Sequence, residues 1–229
     1  MTTSIIIPCF HDAAALGRTL DHLQRLAGIS SSEIVVSAFG DTEGTTRAVG
    51  GRARLLWPGE STRAQLMNAG ASAARGDVLC FLHADSTPPA DALLRIEAAL
   101  RNARIVGGAF EHRFAERTIA LRVISWINRC RYRLTRNYYG DQGIFVRADV
   151  FRAIGGYPDL PLMEDLVFSQ RLKRTGAVVL IREPLLTSGR RFLTRGAWRT
   201  FWAIVWLLAL HTCGCSTRRY APWWRGPVL

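Results

Sequence analysis

Three short apolar runs limit this chain more than any other feature: "SIIIPCF" at residues 4–10, "EIVVSA" at 33–38 and "DVLCFLHAD" at 77–85. Each is too short to cross a bilayer. Each is also too continuously apolar for a strand with one wet face, so it reads as a strand covered on both sides. Helical patterns separate them. Leu16, Leu20 and Leu23 recur at helical spacing, with Asp12 placed as their N-cap. Thr62 and Gln65 have the spacing of a capping box that opens a helix through "AQLMNAGASAA". "RLLW" is a further short strand, and Gly40, Gly44, Gly50 and Gly51 mark a loop region before it. After Asp85, Thr87 is placed to cap a helix with Pro88 at its first position and Leu93, Ile96 and Leu100 as its apolar stripe. Strands alternating with helices predict an α/β fold with a Rossmann-like, mainly parallel sheet flanked by helices.

The second half is less regular. "IVGGAFEHRF", "QGIFVR" and "AVVLI" read as strands. Ile119, Val123, Ile124 and Ile127 predict a helix, and "ADVFRAIGG" and "LVFSQRLKRTG" predict helices stopped by glycine. With 229 residues, 48% of them hydrophobic, there is ample material for one large core. No basic leader precedes the first apolar run, so it does not read as a signal peptide. The five cysteines, Cys9, Cys80, Cys130, Cys213 and Cys215, are odd in number and lack zinc spacing, which predicts reduced thiols in a cytoplasmic protein. The net charge of +12 suits an anionic membrane or phosphorylated small molecules. No nucleic-acid-binding motif accompanies it, so nucleic acid is not expected as a partner.

Chemistry is concentrated at a few acids. In open α/β sheets ligands bind beyond the carboxyl ends of the strands, and Asp85 falls at such an end. A carboxylate there suits Mn2+ or Mg2+, which fill their remaining positions with water and phosphate oxygens; it equally suits a plain helix cap. His83, two residues earlier and on the same strand face, is a candidate second ligand or a hydrogen-bond partner. Glu164 and Asp165 stand together at a helix start. They complement the helix dipole, or one of them serves as a general base for an alcohol. Asp141 and Gln142 occupy a glycine-bounded turn, which suits hydroxyl binding as well as a simple turn.

Taken together, "SIIIPCFHDAAAL", "EIVVSAFGDTEGT", "RAQLMNAGASAARGDVLCFLHAD", "YGDQGIFVRADVFRAIGGYPDLPLMEDLVFSQRLKRTG" and "SGRRF" resemble, in one order, the family 2 glycosyltransferases of the GT-A fold, in their small stand-alone bacterial-type branch. The resemblance implies a single catalytic domain over 1–186, with a nucleotide-binding half at 1–110 and an acceptor-side half at 111–186. A basic loop and amphipathic tail follow at 187–229. It implies a metal-dependent, inverting transfer of a sugar from a nucleotide-diphosphate donor to an acceptor hydroxyl. Pro8 and Phe10 would border the base, and Arg63 and Asn68 would lie along the donor. His83-Ala84-Asp85 takes the place of the family's DxD motif, with Asp85 as metal ligand and His83 replacing the first aspartate. Asp165 would be the catalytic base, with Glu164, Asp141 and Gln142 on the acceptor side. Arg190 and Arg191 match a basic loop that closes over the diphosphate, although a solvated surface pair is the simpler alternative. Ala38 stands where the family usually carries an aspartate that bonds the base; Asp41 and Glu43 are the nearby acids.

The tail segment "WRTFWAIVWLLAL" is shorter than the roughly 18–20 apolar residues that span a bilayer. Flanking arginines and tryptophans, continued in "STRRYAPWWRG", predict a helix lying on an anionic membrane at the cytoplasmic face, which would suit a lipid-linked acceptor. A helix packed on the domain and a homodimer contact are the alternatives. Two other functions compete: a sugar nucleotidyltransferase, whose N-terminal glycine-rich phosphate loop is not found here, and a degenerate module that binds nucleotide sugar or membrane without turnover.

Overall fold

The computed structural model describes residues 1–59 and 62–225. One eight-stranded sheet organises it, in the order β3-β2-β1-β4-β7-β6-β8-β5. The strands are β1 (Thr3–Phe10), β2 (Glu33–Phe39), β3 (Arg54–Leu56), β4 (Val78–Phe81), β5 (Ser86–Thr87), β6 (Ile105–Phe114), β7 (Phe145–Arg147) and β8 (Ala177–Thr187). β3, β2, β1 and β4 run parallel, in the register Ile5 opposite Ile34 and Cys80. β7 enters antiparallel between β4 and β6, and β8 then lies parallel to β6. In the β6–β8 pair, Phe110 faces Ile181 and Glu111 faces Pro184, so Arg182 and Glu183 bulge. Pro184, which has no N–H to give, sits where the ladder is already broken.

The helices are α1 (Ala13–Leu23), α2 (Thr42–Val49), α3 (Arg63–Ala73), α4 (Ala92–Leu100), α5 (Ile119–Thr135), α6 (Ala148–Ala153), α7 (Glu164–Thr175), α8 (Arg190–Arg195), α9 (Ala197–Thr212) and α10 (Thr217–Arg225). They cover both faces of the sheet. β1 shows how: its alternate residues point to opposite sides. Ile5 and Ile7 join Leu16, Leu20 and Leu23 of α1 and Leu93, Ile96 and Leu100 of α4. Ile6 joins Met67 of α3 and an aromatic group from α6 and α7 on the other side. In that group Tyr157 lies 4.9 Å from Phe81 and 4.2 Å from Phe168, ring centre to ring centre. α3 crosses β1 at Gly70, where a Cβ would fall 2.6 Å from the Ile6 Cγ2; only glycine admits this approach.

Several expectations need correction. The glycine-marked segment after β2 contains α2, started by Asp41, whose carboxylate accepts from the Gly44 N–H at 2.9 Å. Thr87 does not cap a helix: Ser86 and Thr87 pair with Thr187 and Leu186 of β8, and α4 begins at Ala92. Asp12 is the N-cap residue of α1, its carbonyl accepting from the Leu16 N–H at 3.0 Å, but its carboxylate makes no cap bond and pairs with Arg190. In α5 the buried face is Leu121, Ile124, Ser125 and Tyr132, whereas Ile119 and Val123 are exposed. The Thr62–Gln65 capping box is present in full.

α9 packs against α8 and α5. Thr200, Leu207, Tyr220 and Ala221 of the tail are buried. Among the described residues no helix is long and apolar enough to cross a membrane. All five cysteines are free, Cys9 and Cys80 buried and the other three exposed. The last four residues of the expected amphipathic tail, 226–229, lie outside the described residues.

Candidate active site

The carboxyl ends of the parallel strands open into a cleft of about 930 Å3. β1 and β2 end there in Phe10 and Phe39, whose rings stack 5.0 Å apart at 19°. Phe10 remains 48% exposed and, with Pro8, lines the cleft. Beyond β4 the chain turns through Leu82–Asp85. Thr19 of α1 fixes this turn: its hydroxyl donates to the Ala84 carbonyl at 2.7 Å and reaches the Ser86 carbonyl at 3.3 Å. The Ser86 hydroxyl accepts from the His83 N–H at 3.1 Å. Asp85 is half-buried at the cleft wall. Burial pushes its carboxyl pKa up, and the nearby Asp12 carboxylate adds to the shift.

Arg63 is the hub of the site. The Thr62 capping box sets it at the first position of α3. Its Nε donates to Glu164 Oε1 at 2.7 Å and its Nη2 to Asp165 Oδ2 at 3.1 Å. Its Nη1 lies 2.8 Å from His83 Nε2. A guanidinium has only donors, so this imidazole nitrogen accepts and the ring is neutral. Burial, reinforced by the Arg63 charge, holds the His83 pKa well below its usual value. Burial alone would lower the pKa of Arg63, but the Glu164 and Asp165 carboxylates outweigh it and raise it. Glu164, itself buried, has its carboxyl pKa raised by burial against the opposing pull of Arg63.

The backbone completes this arrangement. The Gly140 N–H donates to Asp165 Oδ2 at 2.7 Å. Gly140 has no room for a side chain, since a Cβ would run into the Arg63 guanidinium and fall 2.7 Å from His83 Nε2. Met163 adopts a left-handed conformation at φ +66° just before α7, which turns Glu164 and Asp165 inward. Such backbone costs of order 1–3 kcal/mol in a non-glycine residue and collects at functional sites.

Across the cleft lies α8. Arg190 Nη2 reaches Asp12 Oδ2 at 2.8 Å, and the Arg191 guanidinium sits 4.8 Å from the centre of a Trp224 ring. Burial, then the charges of Arg195, Arg63 and Arg190, lower the pKa of Arg191. A basic group destabilised by like charges is suited to an anion.

Ten residues marked in the sequence thus share one cleft: Pro8, Phe10, Arg63, His83, Asp85, Asp141, Glu164, Asp165, Arg190 and Arg191. Four others do not line it. Asn68 spends both ends of its amide on Tyr157, donating to its carbonyl at 2.8 Å and accepting from its N–H at 2.9 Å, and so ties α3 to the loop before α7. Gln142 is buried; it donates to the Phe110 carbonyl at 3.1 Å and accepts from the Tyr139 N–H at 3.0 Å. Ala84 contributes a buried carbonyl. Ala38 is 1% exposed in the core. Of the nearby acids, Asp41 caps α2 and Glu43 pairs with Arg47 at 2.6 Å on the surface; neither lines the cleft. Of the two His83 ring nitrogens, Nε2 is engaged by Arg63, so a second-ligand role would fall to Nδ1. Among the described residues no three His, Cys, Asp or Glu side chains gather as a metal cluster.

The sequence reading missed Tyr139, Met163, Phe192 and Trp224, which also line the cleft. Only the "LPLMEDL" context hinted at Met163. Trp224 reaches the site from α10 through tertiary packing, which no local pattern reveals.

A sheet that is parallel in its first half and mixed in its second, with acids and arginines facing each other beyond the strand ends, defines a glycosyltransferase domain of the GT-A type. Residues 4–154 match the model of Glycosyl transferase family 2, and the chain belongs to that family. Solved structures share the fold at low identity. A mannosyltransferase from Pyrobaculum calidifontis, in complex with GDP-Man and Mn2+, is 16% identical with a TM-score of 0.62; the match covers 81% of this chain and 56% of that one. Glucosyl-3-phosphoglycerate synthase from Mycobacterium tuberculosis, in complex with Mn2+, UDP and glucosyl-3-phosphoglycerate, is 16% identical with a TM-score of 0.60, covering 80% and 70%. Residues 1–349 of S. aureus TarS in complex with UDP-GlcNAc are 14% identical with a TM-score of 0.60, covering 82% and 56%. The chain therefore spans little more than half the length of two of these three. No curated protein matches the sequence.

Proposed function

We propose that this protein transfers a sugar from a nucleotide-diphosphate donor to an acceptor hydroxyl with inversion at the anomeric carbon. The observation that carries the reading is that Asp85, beyond β4, and Asp165, at the start of α7, open on one cleft with Arg190 and Arg191 facing them. The similar structures above hold GDP-Man, UDP or UDP-GlcNAc, and a nucleotide sugar is the donor proposed here.

In this reading Asp165 accepts the acceptor's hydroxyl proton. Three donors fix the orientation of its carboxylate: the Gly140 N–H and Arg63 Nη2 on Oδ2, and the Leu166 N–H on Oδ1 at 2.7 Å. The freed oxygen forms a bond to the anomeric carbon as the bond from that carbon to the diphosphate oxygen breaks. Attack from the face opposite the leaving group inverts the centre. Arg190 and Arg191 meet the charge of the departing nucleoside diphosphate. Phe10 and Pro8 carry the base. Asp85 fits a divalent cation: it is a half-buried acid beside Asp12, and a cation there needs only part of its shell from protein. Bound Mn2+ or Mg2+ would supply Lewis-acid neutralisation of the diphosphate. Free thiols, two of them exposed only two residues apart at Cys213 and Cys215, go with a cytoplasmic setting.

The test is Asp165→Asn. General-base help is worth about 10²–10⁴-fold, so turnover in a donor panel with Mn2+ should fall at least about 10²-fold. Donor affinity should remain close to that of the parent. A near-parental rate removes Asp165 from this role.

A further inference from the structure

The positive charge of this protein is not spread over its surface. Residues 117–136, which contain α5, carry six arginines and no acid. Residues 184–229, which contain α8 to α10, carry seven arginines and no acid. The rest of the chain holds seventeen Lys and Arg against eighteen Asp and Glu, so these two segments account for the whole net charge of +12. The chain brings them together, because α5 packs against α9.

Both helices are apolar on the outside as well as the inside. On α9, Trp198, Trp202 and Trp206 repeat every four residues and are 47–63% exposed, with Val205 beside them. At 100° per residue they occupy one side. Leu207 and Ile204, which line the cleft, occupy the opposite side. On α5, Ile119, Val123, Trp126 and Leu134 form the outward row, and Leu134 is 85% exposed. Exposed tryptophans and aliphatic side chains among arginines match the boundary between lipid headgroups and acyl chains.

We propose that α5 and α9 form a docking face for an anionic lipid bilayer, which holds the transfer cleft at the membrane surface. The bilayer is favoured over a second copy of this chain because two such faces would oppose arginine to arginine. It is favoured over nucleic acid because Ile119, Val123, Val205 and Leu134 suit acyl chains and offer nothing to a phosphate backbone. The docking claim does not depend on the transferase reading. Only the added statement about the cleft rests on it, through the wall that α9 shares with both.

Flotation of the full chain tests the proposal. Vesicles of roughly equal phosphatidylcholine and phosphatidylglycerol should carry the protein at low salt, and pure phosphatidylcholine should carry at least about tenfold less. The double change Trp202→Gln and Trp206→Gln should weaken partition to anionic vesicles at least about tenfold, and Trp126→Gln should weaken it measurably. These residues are exposed, so melting temperatures should match the parent. The rise in melting temperature with UDP or GDP and Mn2+ reads the cleft separately and should be unchanged. No flotation at low salt overturns the proposal. So does binding indifferent to all three tryptophans, which is electrostatic adhesion alone. A dimer in solution that dissociates on the double change would assign the face to a second copy and also overturn it.

Discussion

Replacing Arg63 by methionine removes the one cation that, among the described residues, pairs with both Glu164 and Asp165. Methionine keeps much of the stem volume, so the main loss is charge. The Glu164 side chain is only 6% exposed and Arg63 is its guanidinium partner at 2.7 Å. Breaking a buried pair on one side costs about 3–5 kcal/mol, and the lower end applies because Arg63 is 34% exposed. Burial and Asp165 already push the Glu164 carboxyl up, and without Arg63 nothing comparable opposes them. A raised acid contributes stability that is complete below its unfolded pKa of about 4.5 and lost as pH rises through its folded value. The variant should therefore lose about 3 kcal/mol near pH 8 and clearly less near pH 5, where Glu164 takes up a proton. For a chain of this size each kcal/mol moves the melting temperature by about 2–4 °C, so the drop near pH 8 should be about 6–12 °C. Adding Glu164→Gln should recover a large part of it, because a neutral amide needs no counter-charge. Thermal melts of the parent, the single and the double variant at both pH values are sufficient. An equal loss at both pH values, or no recovery in the double variant, would refute the claim that a stranded Glu164 charge is the cause.

Asp85→Asn should abolish the Mn2+-dependent part of the melting-temperature rise given by a nucleoside diphosphate, while leaving any metal-independent part. In the parent, Mn2+-dependent donor affinity should fall by about tenfold per pH unit once pH drops below the raised Asp85 pKa, since the cation competes with the proton; titration calorimetry against pH checks this, and a flat profile contradicts it. If the proposed donor binds over the stacked Phe10–Phe39 pair, with Ala38 offering no acid, its base would be held by its face, which every base has. Dissociation constants for UDP, GDP and ADP should then lie within about tenfold of each other and all weaken by about 1–3 kcal/mol in Phe10→Ala, whereas a preference for one base well beyond that range would point to edge recognition elsewhere.

The sheet was legible where strands are buried on both faces: β1, β2, β4 and β6 read directly from their apolar runs. α2 was not, because an eight-residue helix with Gly44 in its first turn looks like a loop until its Asp41 cap is seen. Ser86 and Thr87 looked like a helix start for a different reason, since their pairing with β8 lies a hundred residues away in sequence. α5 misled because both of its faces are apolar, and periodicity alone does not say which one meets the core. At the site, Asp85 and Asp165 were visible as acids at the ends of apolar elements. Asn68 and Gln142 carry polar groups as the donor and acceptor sides would need, yet each satisfies its amide on backbone. The hub role of Arg63 depends on three partners from separate parts of the chain, which only the tertiary structure brings together.

The grip of Thr19 on the Ala84 carbonyl has a mechanical consequence. That hydroxyl belongs to α1, whose Leu16, Leu20 and Leu23 are buried in the core, so the backbone bearing Asp85 is tied to a core helix. Displacing that stretch of backbone would require a core helix to shift with it. The backbone geometry that the proposed cation would meet at Asp85 is therefore set by a core helix, and a ligand would spend little of its affinity on organising it.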